Sequence, residues 1–181
     1  MRRGLTNDEV EANRSEIVSL LQSTGRKGME RVLEYLDGVG FYTAPSSTDR
    51  HHNWYGGLAQ HSLGVCRKAL RRSTAGIDRN SVIIATLLHD ICKASRLYYG
   101  PGGRIFKRGI RIKGHGSRSV LLLKREGLEL TREERLAIRW HMGTWSAKED
   151  EADDACAALR SPLWALVKRC DGRDAHEWPA I

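Results

Sequence analysis

Apolar residues recur at intervals of three and four along most of this chain, and that spacing predicts a nearly all-helical protein. The first predicted helix covers residues 7–22, where Thr6 and Glu9 form the pattern of an N-terminal capping box. The same spacing predicts six further helices, over residues 27–36, 58–73, 81–91, 117–125, 131–141 and 162–172. The helix over 81–91 is apolar on nearly every face, so we expect it to lie at the centre of the fold.

Two segments interrupt the helical pattern without a strand pattern of their own. Residues 41–57 hold Pro45, several polar residues and a Gly-Gly pair, which predicts an irregular loop of a length that is often functional. Residues 148–154 hold five Asp or Glu and one Lys. We expect this acidic segment to be a solvated loop or the start of a helix.

A third segment, residues 94–114, predicts a β-hairpin. Two short segments, Leu-Tyr-Tyr at 97–99 and Arg-Ile-Phe at 104–106, stand on either side of the turn sequence Gly-Pro-Gly-Gly. The predicted fold class is therefore all-α, a helical bundle with one small β-hairpin insertion between two of its helices.

The charge is concentrated in one part of the chain. The 181 residues carry a formal net charge of +8, and residues 91–125 contain ten Lys or Arg and no Asp or Glu. A basic segment of this kind attracts anions, although it is also compatible with a solvated loop. Phosphorylated small molecules and nucleic acid both stay open as partners.

The composition is that of an ordinary globular domain, with 40% hydrophobic and 29% charged residues. The four cysteines form no C-x-x-C pair, which fits a reduced compartment. No apolar run reaches the roughly 20 residues that a membrane span needs, and no apolar segment follows the basic N-terminus. We expect a cytoplasmic protein without a membrane partner; the sequence leaves its oligomeric state open.

The candidate chemistry begins with His89 and Asp90, which follow directly on the apolar run 82–88. Such a pair placed against a core must be hydrogen-bonded, ion-paired or bound to metal, unless the helix ends there and both are solvated. Lys93 follows within one helical turn and offers a positive charge beside Asp90.

Other residues able to bind metal stand at predicted helix ends, namely His61, His115, His141 and Asp171. Facing helices of a bundle can bring such positions to one point. Imidazole and carboxylate donors suit Mn, Fe, Co, Ni, Zn or Mg. The sequence therefore predicts a site for one or two divalent metal ions.

The contexts of these residues resemble the HD-domain metal-dependent phosphohydrolase superfamily over most of the chain. The resemblance rests on Gly-Gly-Leu-Ala-Gln-His61, on His89-Asp90-Ile-Cys-Lys93, on Gly-His115-Gly, on Trp-His141-Met-Gly and on Asp171. The nearest shape is the compact group of bacterial HD hydrolases, and the Gly-Gly-Leu…His start is also similar to the HD part of bacterial 3′–5′ exoribonucleases. The resemblance implies a single HD domain over 1–181, with N-terminal helices and a loop in 1–57 and the metal-binding core in 58–181.

Some features depart from the family pattern. Cys92 stands where many members have glycine, and Met142 stands where two-metal members often have a second histidine, so the number of metal ions stays open. The Gly-Tyr-Pro signature of the cyclic-di-GMP phosphodiesterases is absent, which argues against that substrate. No RNA-binding module accompanies the domain, which makes exoribonuclease activity the less favoured alternative.

The resemblance also implies roles for the residues. A first metal would be bound by His61, His89, Asp90 and Asp171, and a second by Asp90, His115 and His141. Asp90 would orient the attacking water, and Lys93 would contact the phosphate. The candidate substrate-binding residues are Lys93, Arg118, His51, His52, Trp54 and Lys113. Structural alternatives stay open for all of them, such as a solvated surface for Arg118 and packing of the loop for Trp54.

The resulting hypothesis is a metal-dependent phosphohydrolase that cleaves a phosphomonoester or phosphodiester of a small, nucleotide-like substrate with metal-activated water. The basic hairpin, with Arg104, Lys107, Arg108, Arg111 and Lys113, would face an anionic phosphorylated substrate. Two alternatives remain: an exonuclease or phosphodiesterase acting on short nucleic acid, and a non-catalytic HD module that binds nucleotides.

Overall fold

Eight α-helices and one hairpin make up the part of the chain that the computed structural model describes, residues 4–99, 104–107, 114–145 and 147–177. The helices are α1 (Asn7–Gln22), α2 (Met29–Gly38), α3 (Gly57–Arg72), α4 (Arg79–Leu88), α5 (His115–Arg125), α6 (Arg132–Arg139), α7 (Ala152–Leu159) and α8 (Pro162–Glu177). The hairpin consists of β1 (Leu97–Tyr99) and β2 (Ile105–Lys107). The predicted fold class, an all-α bundle with a small hairpin insertion, is confirmed.

Helix α4 forms the centre of the bundle, as its all-round apolar pattern predicted. Every residue from Ser81 to Leu88 is buried, and α3, α6 and α8 pack around the helix. The helix begins at an Asp78 cap, whose carboxylate accepts a hydrogen bond from the Ser81 amide. Its C-terminal end therefore delivers His89 and Asp90 into the interior of the bundle.

Helices α5 and α6 approach each other closely because Gly116 has no side chain. A Cβ atom at this position would lie 2.3 Å from the carbonyl oxygen of Arg139 and 2.5 Å from that of Ile138. The first turn of α5 can therefore pack against the last turn of α6. This contact brings His115 and His141 together.

The hairpin has the predicted location and a register of three residue pairs. Leu97 pairs with Lys107, Tyr98 with Phe106 and Tyr99 with Ile105, so β2 begins one residue later than predicted. The predicted turn, together with Arg108, Arg111 and Lys113, lies outside the described residues.

Some predicted element boundaries were wrong. The last helix does not end at Gly172 but continues to Glu177, because one glycine inside a helix costs only about 1 kcal/mol and the buried face continues. The central helix ends at Leu88, and a separate 3-10 turn covers Ile91–Lys93. The acidic segment is the start of a helix, one of its two predicted alternatives: a 3-10 turn over Glu149–Glu151 leads into α7, which was not itself predicted.

None of the helices in the described part of the chain is both long enough and apolar enough to cross a membrane.

A buried carboxylate connects α6 to the N-terminal helices. Glu134 is fully buried, and Arg26 donates to both of its oxygens at 2.7 Å. The Ser81 hydroxyl donates to it at 2.7 Å, and the Thr131 amide donates at 2.8 Å to complete a capping box. Each carboxylate oxygen is thus compensated, which a buried charge requires.

We expect Glu134→Ala to lower the free energy of unfolding by about 3 kcal/mol, because Arg26 and Ser81 would lose their shared partner. Urea denaturation monitored by circular dichroism measures this loss. Glu133→Ala is the matched control, because Glu133 is exposed in the same helical turn. This substitution should lower the free energy of unfolding by less than about 0.5 kcal/mol. Equal losses of unfolding free energy in the two variants would contradict the stabilising role of the buried Glu134 carboxylate.

Candidate metal centre

Six predicted ligands from five parts of the bundle meet at one point. His61 comes from α3, His89 and Asp90 follow α4, His115 opens α5, His141 follows α6, and Asp171 belongs to α8. His61, His89, Asp90 and His141 are at most 2% exposed. The side chains of His115 and Asp171 are partly exposed and face a cavity.

One group of ligand atoms lies between α3, α4 and α8. The Nε2 atom of His61 is 3.1 Å from Asp171 Oδ1, and the Nε2 atom of His89 is 3.8 Å from the same oxygen. Asp90 Oδ2 is 3.4 Å from His89 Nε2. These separations are those of atoms that can share one metal ion, and His61, His89 and Asp171 offer donor atoms within 4.8 Å of one another.

A second group lies on the opposite side of Asp90. Its Oδ1 atom is 3.4 Å from His115 Nε2 and 3.6 Å from His141 Nε2. The two imidazole Nε2 atoms are 3.0 Å apart. The Asp90 carboxylate therefore presents one oxygen to each group, which is the arrangement of a bridging ligand.

Hydrogen bonds fix the orientation of the buried imidazoles. The Nδ1 atom of His89 is 2.8 Å from the Thr86 carbonyl oxygen, and the Nδ1 atom of His141 is 2.7 Å from that of Ile138. A carbonyl oxygen can only accept, so each Nδ1 carries the proton and each Nε2 lone pair faces the centre. This is the usual support of a histidine that binds metal.

Buried atoms at the centre lack a hydrogen-bond partner among the described residues. His89 Nε2 and Asp90 Oδ1 are both inaccessible to solvent and make no hydrogen bond. Leaving such polar atoms without a partner is costly, and a metal ion coordinated by both would remove the cost. The nitrogen and oxygen donors present thus fit a divalent metal ion.

The electrostatics keep three of the donors, Asp90, His115 and His141, in the forms that bind metal. Burial by itself would raise the pKa of Asp90, but Lys93, whose Nζ is 2.6 Å from Oδ2, and His89 hold that pKa well below its usual range. Burial lowers the pKa of His141 to about 4 and also lowers that of His115. At neutral pH the aspartate is therefore ionised, and both of these imidazoles are neutral.

His61 has a different environment, which the sequence analysis did not foresee. Burial lowers its pKa, but hydrogen bonds with Asp171 and Asp174 outweigh that effect and raise the pKa to about 9. Asp174 was not among the predicted residues. Its spacing of three from Asp171 on one helix was the available signal, because such residues share a face.

A cavity of about 820 Å³ opens above the centre. It is lined by residues 46–51 of the loop before α3 and by Asp90, Cys92, Lys93, Arg96, Leu97, Lys107, His115, His141, Met142, Lys168, Asp171, Gly172, Ala175 and His176. Five of these residues are Lys or Arg. Lys107 belongs to the hairpin that was predicted to face the substrate, whereas Arg50, Arg96 and Lys168 were not assigned to the site from the sequence.

The predicted substrate contacts are distributed unevenly around this cavity. Lys93 and His51 line it. His52 is fully buried behind His51, and the Nδ1 atoms of the two rings are 3.3 Å apart. Trp54 is buried and donates its indole N–H to Gln60 Oε1 at 2.8 Å, and neither Trp54 nor Arg118 is among the lining residues. Lys113 lies outside the described residues.

A helical bundle that collects histidines and aspartates from several of its helices around a buried His-Asp pair defines a class of metal-binding proteins. The chain belongs to the HD domain family, whose model matches residues 58–175. The HD domain supports metal-dependent phosphohydrolase activity in general.

A sequence match to a phosphodiesterase is consistent with this family assignment. The chain is 33% identical, over 63 aligned positions, to the dihydroneopterin 2′,3′-cyclic phosphate phosphodiesterase of Methanocaldococcus jannaschii. The match covers 31% of this chain and a quarter, 25%, of that protein's length. No solved structure matches the chain significantly.

Proposed function

We propose that this protein is a divalent-metal-dependent phosphohydrolase that cleaves a phosphomonoester or phosphodiester of a small, nucleotide-like substrate. The observation that carries the proposal is a pair of buried atoms, His89 Nε2 and Asp90 Oδ1, that have no hydrogen-bond partner within the described residues. They lie at the base of a cavity whose described lining includes five Lys or Arg. Cations around a metal centre favour an anionic substrate.

The first metal ion would be held by His61, His89, Asp90 and Asp171, and the second by Asp90, His115 and His141. The bound ions would supply Lewis acidity, which lowers the pKa of water to about 7 and neutralises charge on phosphoryl oxygens. The second group of ligands is complete without position 142, where the exposed Met142 side chain lines the cavity. We therefore propose a centre with two ions.

The chain's own side chains would complete the catalysis. Lys93 Nζ lies between Asp90 and the cavity, with 22% of the side chain exposed, so it can donate to a phosphoryl oxygen without leaving the carboxylate. His51 lines the cavity with its ring centroid 4.8 Å from that of His61. We propose His51 as the residue that protonates the leaving oxygen. Because burial lowers the pKa of the His51 imidazole to about 4 in the free protein, it would take up this proton when the anionic substrate is bound beside it.

The relative's name describes a phosphodiesterase that acts on a 2′,3′-cyclic phosphate, and this favours a phosphodiester among the substrates. Short nucleic acid is the second candidate substrate. It is favoured by Arg50, Arg96, Lys107 and Lys168, which offer further phosphate contacts along the cavity.

We expect wild type to hydrolyse members of a panel of phosphomonoesters, cyclic phosphates and short oligonucleotides in the presence of Mn²⁺, and Asp90→Ala to reduce the rate about 10³-fold or more. Asp49→Ala, which changes a cavity carboxylate in the loop before α3, should retain most of the activity. A steep fall in rate between 50 and 200 mM salt would identify nucleic acid as the substrate.

If Asp90→Ala is as active as wild type, the centre is misassigned. If wild type neither binds Mn²⁺ nor hydrolyses any member of the panel, the proposed function is wrong.

We expect wild type to bind two Mn²⁺ ions per chain and His115→Ala to bind one, because His115 belongs only to the second group of ligands. Isothermal titration calorimetry and metal analysis of the dialysed protein measure the stoichiometry. His176→Ala removes an exposed histidine of the same cavity, and this variant should still bind two Mn²⁺ ions per chain. A single ion in wild type, or two ions in His115→Ala, would contradict the two-ion centre.

We expect His51→Gln to slow hydrolysis of alkyl phosphate esters about 10²-fold and to leave hydrolysis of nitrophenyl esters nearly unchanged. The reason is that an alkoxide must be protonated as it leaves, whereas nitrophenolate needs no proton. His176→Gln is the matched control and should affect neither ester. Equal losses on both classes of ester would show that His51 acts in another way.

A further inference from the structure

Asp174 is a buried carboxylate beside the centre that the proposed function does not use. It lies one helical turn after Asp171 in α8 and is 1% exposed. Its Oδ2 atom is 2.8 Å from His61 Nδ1, and its Oδ1 atom accepts a hydrogen bond from Lys68 Nζ at 2.6 Å. His52 Nε2 lies 3.5 Å from Oδ2.

The surface of α3 leaves space for this carboxylate. Gly64 lies between His61 and Lys68 along α3, and a Cβ atom there would come within 2.3 Å of Asp174 Oδ1. Any side chain at position 64 would therefore displace Asp174. The absence of one allows α3 and α8 to pack with Asp174 in contact with both His61 and Lys68.

The two nitrogens of His61 face two carboxylates of one helix. Nδ1 faces Asp174, and Nε2 lies 3.1 Å from Asp171 Oδ1, on the side of the metal ligands. In His89 and His141 the corresponding Nδ1 partner is a backbone carbonyl. In contrast to His89 and His141, His61 has an Nδ1 partner that carries a full negative charge.

We propose that Asp174 is a positioning residue that holds the proton of His61 on Nδ1, directs the Nε2 lone pair to the metal and strengthens that bond. The inference rests on the proposed function, since it requires a metal ion at His61. A carboxylate that accepts the second N–H of a metal-binding histidine fixes the ring and increases its basicity, and removing such a partner typically costs about 10- to 100-fold in metal affinity.

A purely structural role is the alternative, in which Asp174 serves as the ion-pair partner of Lys68. Lys68 is nearly buried and also contacts Glu177 at 2.9 Å. Losing the Lys68–Asp174 pair would destabilise the fold without acting on His61 in particular. The two roles are distinguished by removing the Asp174 carboxylate and the Lys68 ammonium in separate variants.

The test measures Mn²⁺ affinity by isothermal titration calorimetry in the full-length chain for wild type, Asp174→Asn, Lys68→Met and the double variant. We expect Asp174→Asn to weaken Mn²⁺ binding about 10- to 100-fold, because an amide carries no charge and can also donate to Nδ1 and so place the proton on Nε2. Lys68→Met keeps the Asp174–His61 hydrogen bond, so the Mn²⁺ affinity of this variant should stay within about threefold of the wild-type affinity.

The double variant removes the buried ammonium of Lys68, which Asp174→Asn alone would leave paired with Glu177 but without its buried partner. The double variant therefore tests the proposal even if the single variant does not fold. We expect the double variant to bind Mn²⁺ about 10- to 100-fold more weakly than Lys68→Met. Equal affinities in Lys68→Met and the double variant would overturn the positioning role. If wild type itself binds no Mn²⁺, the proposed function fails, and the inference that rests on it fails with it.

Discussion

The negative charge of Asp90, buried at the end of the central helix, is the constraint on which the rest of the structure depends. A carboxylate that is 2% exposed is costly unless positive charge and hydrogen-bond donors surround it. Lys93 compensates one oxygen directly, while the other faces the Nε2 atoms of His115 and His141. These imidazoles are largely neutral at neutral pH, so full compensation calls for a cation bound between them and the aspartate.

The packing of the helices follows from the need to bring several chain segments to this one charge. Gly116 allows α5 to approach the end of α6, and Gly64 allows α8 to approach α3. In each case the missing side chain places two functional groups in contact: His115 with His141, and Asp174 with His61. Close packing in this bundle therefore serves the geometry of the centre as well as the stability of the core.

Membership of the HD domain family agrees with this physical picture and supports metal-dependent phosphohydrolase activity in general. The features that would select a substrate lie outside the ligand set. The loop before α3 supplies His51 and Arg50, the segment around β1 and β2 supplies Arg96 and Lys107, and α8 supplies Lys168. These cations would favour an anionic substrate, and they come from parts of the chain with no common motif.

The sequence by itself determined seven of the eight described helices, the central position of α4, the hairpin and the identity of the ligand candidates, because all of these depend on local spacing and short motifs. It did not give the length of α8, since glycine ends a helix only when the buried face also ends. Nor did it give the role of Asp174 or the burial of Trp54. The orientation of an imidazole, the partner of a carboxylate and the residues lining a cavity depend on contacts between segments far apart in the chain, and only the tertiary structure brings those segments together.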